Sequence, residues 1–130
     1  IVRNRNLPVD AYFSKEKTFV MNSARVPGRR MVVIYPGPGI RRIDVFGNDV
    51  TVTDGFSASV GPVHVRVAGG MTHIVLKYRP DMKPVAMPRT DLREIVFSLD
   101  ERAVTINDIL ALIAQMDRQR SLNASVVWLR

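Results

Sequence analysis

The sequence predicts an α+β fold: mainly antiparallel β in front, as a small sheet or barrel, and a β-α-β unit at the end. Three observations carry this. Residues 63–78 alternate apolar and polar on either side of a Gly-Gly pair, the pattern of an antiparallel hairpin. β-branched runs closed by Gly, Pro or Asn-Asp recur through 31–54. In the last forty residues, one apolar helical stripe lies between two β-branched runs.

The elements follow in order. Residues 1–30 have weak periodicity and many polar breaks (Asn4, Asn6, Pro8, Asn22, Ser23, Pro27, Gly28), so they read as a basic arm with one short strand at Thr18–Met21. Residues 31–79 read as a β-rich core. Met31–Tyr35 is a buried strand, ended by Pro36-Gly37-Pro38-Gly39. Ile40–Phe46 alternates, with Ile43 and Val45 on one side and Arg42, Asp44 and Phe46 on the other. Gly47-Asn48-Asp49 turns the chain into a second alternating run, Val50–Thr53.

In the hairpin, Ala68 opposite Met71 puts Val67 against Thr72, Val65 against Ile74 and Val63 against Leu76. One face is then nearly all apolar, and the other carries His64, Arg66, His73, Val75 and Lys77. A slip of one residue would invert every side chain, so turn and pattern together fix the register.

Pro80, Pro84 and Pro88 exclude a helix interior or a central strand, so 80–90 reads as an extended connector and the best candidate boundary. Residues 91–130 form the β-α-β unit. Glu94–Leu99 reads as a strand, and Thr105-Ile106-Asn107-Asp108 as a capped helix start with Thr105 accepting from the Asp108 N–H. Ile106, Ile109, Leu110, Ile113 and Met116 then form the helical stripe, and Ala124–Leu129 reads as a strand, parallel to the first if the two share a sheet. The lone tryptophan, Trp128, reads as a core anchor.

The chain has 130 residues and a net charge of +7, with 46% apolar and 24% charged residues, the composition of a globular domain. Its longest apolar run, Ile109–Ala114, is six residues, far short of the roughly 20 that cross a bilayer as a helix, so no membrane span is expected. Cysteine is absent, which excludes disulfides, zinc–thiolate sites and a cysteine nucleophile. Position 1 is Ile rather than Met, so a processed product or a fragment is one expectation.

The charge is lopsided. Residues 1–42 hold nine basic and two acidic residues, whereas 91–130 hold five basic and six acidic. Arg3, Arg5, Arg25, Arg29, Arg30, Arg41 and Arg42, with His64, Arg66, His73 and Lys77 of the hairpin, are the candidate contacts for a neighbouring subunit or for phosphate. A plain solubilising surface is the competing reading of the same residues.

Motifs for chemistry are sparse. His64 and His73 sit on one hairpin face, but diagonal Cβ atoms lie roughly 7 Å apart. Arg66 opposes His73 and no carboxylate is near in sequence, so no metal site is expected. Gly37-Pro38-Gly39 lacks the Gly-Lys-Ser/Thr of a phosphate loop, and no serine sits in a Gly-x-Ser-x-Gly elbow. Asp100, Glu101 and Asp108 are close in sequence, yet Asp108 has a capping role. No catalytic residue, cofactor or small-molecule substrate is therefore expected.

The favoured expectation is a non-enzymatic subunit of a homo- or hetero-oligomeric assembly, such as a virion or phage particle or a secretion apparatus. It would contact its neighbours through the basic arm and exposed strand edges. Virion or cytoplasm is the favoured location. The alternative is a nucleic-acid-binding module using the arginine cluster and the basic hairpin face. At 7% aromatic residues, without an RNP-type cluster, a GXXG clamp or a helix-turn-helix pattern, the support for that alternative is charge alone.

Overall fold

A computed structural model describes residues 2–4, 9–24, 26, 28–47, 49–77, 84–88 and 90–129, with backbone only for 2–4, 9 and 10. The chain forms two compact units, 1–50 with 124–130, and 51–123.

The first unit is a six-stranded mixed sheet. Its strands are β1 (Val2–Asn4), β2 (Val9–Phe13), β3 (Phe19–Ala24), β4 (Met31–Tyr35), β5 (Arg41–Phe46) and β10 (Ser125–Trp128), in the order β1-β2-β3-β5-β4-β10. The β3–β5 and β4–β10 pairs are parallel, and the others are antiparallel. Residues paired across strands share a face. Phe19, Met21, Ile43, Val45, Val32 and Ile34 therefore line one face, and all are at most 1% exposed. The other face carries Phe13, Val20, Asn22, Arg42, Asp44, Tyr35, Val33 and Val127.

The expected arm at 1–30 thus supplies three strands. Its alternation is hidden by small and polar residues, but Phe19 and Met21 anchor β3 at a period of two. Gly47 closes β5 at φ 116° and donates to the Ala24 carbonyl at 2.9 Å. A Cβ at this position would strike the Arg29 carbonyl oxygen. Gly47→Ala should therefore destabilise the protein by about 1–3 kcal/mol, read from a thermal melt. An unchanged midpoint would mean that this turn relaxes freely.

The second unit holds an open antiparallel sheet, β6 (Ser57–Val60), β7 (Val63–Ala68), β8 (Met71–Leu76) and β9 (Val85–Met87), and two helices, α1 (Leu92–Glu101) and α2 (Ile106–Arg118). The β7–β8 hairpin has the register the alternation predicts, with Ala68 opposite Met71 and Val63 opposite Leu76. Gly69 and Gly70 take φ of 61° and 73°, the positive pair a type I′ turn needs. Val63, Val65, Val67, Thr72, Ile74 and Leu76 are all buried.

Four expectations are corrected. Neither sheet closes into a barrel. Glu94–Leu99 is helical, not a strand. The period is helical rather than two, and it shows only over a longer window than the β-branched pair: Leu92, Ile95, Val96 and Leu99 make an i, i+3, i+4, i+7 stripe, each at most 1% exposed. The end of the chain is therefore α-α-β rather than β-α-β, and β10 lies parallel to β4 instead of to residues 94–99. The Val50–Thr53 run forms only isolated bridges, Thr51 to Asp91 and Val52 to Leu122.

Within the expected connector, residues 80–83 and 89 lie outside the described residues. Val85–Met87 forms edge strand β9 between Pro84 and Pro88, which is where a sheet tolerates proline. In α2 the Thr105 hydroxyl accepts from the Asp108 N–H, and Ile106, Ile109, Leu110, Ile113 and Met116 are buried, as the spacing predicts.

Candidate assembly interface

The open face of the six-stranded sheet is built around β5. Arg42 and Asp44 are two residues apart, so both side chains stand on this face, with Tyr35 of β4 opposite Arg42 and Asn22 of β3 opposite Asp44. The Asp44 carboxylate accepts from Asn22 Nδ2 at 2.9 Å and from Arg42 Nε at 3.1 Å. The Arg42 guanidinium lies 4.2 Å from the centre of the Tyr35 ring. Burial works against the Arg42 cation, but the Tyr35 side chain and the Asp44 carboxylate outweigh it and raise its pKa. The cavity beside this cluster, lined by Asn22, Ala24, Arg42, Asp44, Val45 and Phe46, measures about 180 Å³. That is below the roughly 300 Å³ at which pockets begin to enclose drug-sized ligands.

Arg29 and Arg30 follow the turn before β4. The Arg29 guanidinium sits 6.0 Å from the centre of the Phe46 ring. Arg30 grips Asp49 with both ends of its fork, Nε to Oδ1 at 2.8 Å and Nη2 to Oδ2 at 2.6 Å. The hydrogen bond from Arg30 holds the Asp49 carboxyl below its ordinary range. The interaction favours the folded state above the carboxylate range and is lost as the pH falls through the lowered value. In an NMR titration, Arg30→Ala should return the Asp49 midpoint to the ordinary carboxylate range. A midpoint that stays low would assign the shift to another group.

Among the described candidate contacts of the first unit, Arg29, Arg30, Arg41 and Arg42 differ in face and in partner. Arg5 and Arg25 lie outside the described residues, and Arg3 belongs to β1 with its side chain undescribed. Arg41 and Arg42 are consecutive on β5, so they stand on opposite faces. Arg30 and Arg42 are held by carboxylates of their own chain.

In the second unit, His64, Arg66 and His73 share the outer face of the β7–β8 hairpin, and Lys77 follows at the same alternation. Arg66 is paired across to His73, and His64 Nδ1 lies 2.7 Å from the Ser59 hydroxyl. Asp100 is buried in the last turn of α1, whereas Glu101 is exposed. Among the described residues, no group of three His, Asp or Glu is placed to hold a metal ion. Among the described residues, no helix is long and apolar enough to cross a membrane.

The feature missed in the sequence is the free side of β10. This strand ends the sheet order, and among the described residues no strand pairs with its outer edge. Val127, Trp128 and Leu129 are 37%, 39% and 40% exposed, so Trp128 is no core anchor. It stands at the sheet margin opposite Ile34. The available signal was the absence of charge: from Ser121 to Leu129 there is none. An edge strand meant to stay single usually carries lysine, proline or a bulge.

Comparison with protein-family models, curated proteins and solved structures finds no match to this chain.

Proposed function

We propose that this chain is a structural subunit of a multi-protein assembly, of the kind that builds a virion, a phage particle or a secretion ring, and that it acts by strand pairing rather than by catalysis. The observation that supports this reading is the edge of β10. It is uncharged, half-exposed and apolar, and it ends a sheet whose other face is buried. Such an edge is a template for another strand, with backbone hydrogen bonds giving affinity and alternate side chains giving specificity.

A second reading, nucleic-acid binding, draws on one observation. The outer faces of β7 and β8 carry His64, Arg66 and His73, and Lys77 follows directly after β8, with no carboxylate among them. Against it, Arg30 and Arg42 are already neutralised within the chain. Size-exclusion chromatography with light scattering, read at 260 and 280 nm near physiological salt, separates the two. A discrete oligomer without 260-nm excess supports the assembly subunit. A monomer that carries nucleic acid and releases it steeply with salt supports the second reading and overturns the first.

A further inference from the structure

The geometry points to a second copy of this chain as the partner of β10, joined edge to edge about a two-fold axis perpendicular to the sheet, with Val127 opposite Val127 of the other copy. This inference rests on the assembly reading and gives it a partner and a register.

Three steps lead to it. First, the outward backbone groups are known from the inward ones. The N–H groups of Ser125 and Leu129 donate to the carbonyls of Arg30, just before β4, and of Ile34 within it. By the period of two, Val127 also bonds inward, and Val126 and Trp128 turn their N–H and C=O groups to the free edge. Second, a two-fold axis makes identical edges antiparallel and keeps each face of the sheet continuous. Paired residues must then lie on the same face, so only even offsets are allowed. The offset that engages both outward residues pairs Val126 with Trp128 of the other copy, twice. It leaves Val127 against itself as a non-hydrogen-bonded pair.

Third, the side chains suit this register. A β-branched residue meets an aromatic one on the face of Val126 and Trp128, a favourable cross-strand combination. On the other face valine meets valine. Each copy carries a net charge of +7, yet no charged residue lies between Ser121 and Leu129, so the two copies meet through a neutral strand.

The chain has no cysteine, so one introduced thiol reports on one contact. In a non-hydrogen-bonded antiparallel pair, Cα atoms are about 4.5 Å apart, within disulfide range. Val127→Cys should cross-link into a covalent dimer under mild oxidation, as read on a non-reducing gel. Ser125→Cys should stay monomeric on the same gel, because its own counterpart lies four residues out of register. Combining Ser125→Cys with Leu129→Cys should restore the cross-link. Both positions are exposed, and circular dichroism confirms that each variant folds. Light scattering of the native chain is run alongside. If the native chain is oligomeric but Val127→Cys fails to cross-link, or cross-links no better than Ser125→Cys, the two-fold pairing is overturned and the assembly reading stands. If the native chain is monomeric at every concentration, both are overturned.

Discussion

Phe56→Ala is expected to lower the stability of the protein by about 3–5 kcal/mol, the range for emptying a buried phenylalanine site. Phe56 is 1% exposed and directly precedes β6. Its carbonyl accepts from the Val67 N–H at 2.9 Å, and the Val67 carbonyl accepts from the Gly55 N–H at 2.8 Å. The backbone around Phe56 is thus pinned to β7 and has little freedom to collapse into the space left behind. For a chain of this size the loss corresponds to a fall in melting temperature of roughly 10–20 °C. Phe56→Leu should recover most of it. A loss below about 1 kcal/mol in Phe56→Ala would show that this site closes easily and is not a fixed part of the core.

Val126→Pro is the second large effect, and it falls on assembly rather than on folding. Proline at 126 removes one backbone N–H. Ser125 and Leu129 bond inward to β4, so the lost N–H is one that faces the free edge. Proline is tolerated on an edge strand in that orientation. The variant should therefore keep the circular dichroism spectrum and nearly the melting temperature of the native chain while running as a monomer in light scattering. An oligomer that survives the substitution would place the subunit contact elsewhere, with β9 or β1 the next edges to test. A monomer that has also lost its folded spectrum would mean that position 126 supports the sheet itself.

How much of this was legible in the sequence depended on range. The β7–β8 hairpin was readable because its turn, alternation and partner strand lie within sixteen residues, so register followed from the Gly-Gly turn and side-chain parity together. The α2 stripe and its Thr105 cap were readable for the same reason. The first helix, α1, was not, because the adjacent Ile95 and Val96 resemble a strand and the stripe appears only when Leu92 and Leu99 are included. Asp91 at the N-cap and Glu94 in the first turn were the overlooked signal, although the Asp91 side chain makes no cap hydrogen bond.

Sheet order was beyond local reading. β10 joins β4 across some ninety residues of intervening chain, and no local pattern records that pairing. The misreading of Trp128 followed from this. A tryptophan at a strand end reads as core until the strand proves to be the margin of its sheet. The arginines illustrate a different limit: composition gives their number, but only the fold shows that Arg30 and Arg42 have carboxylate partners.

Amide hydrogen exchange of the native chain tests most directly whether β10 is paired on its outer side. Leu129 donates inward and should be protected at any concentration. Val126 and Trp128 face outward. Strand pairing predicts that their amides are protected in the concentrated, assembled protein and lose that protection on dilution. If both exchange at the open-chain rate while Leu129 stays protected and the protein remains concentrated, the edge is free and the account of this chain as a strand-paired subunit is contradicted.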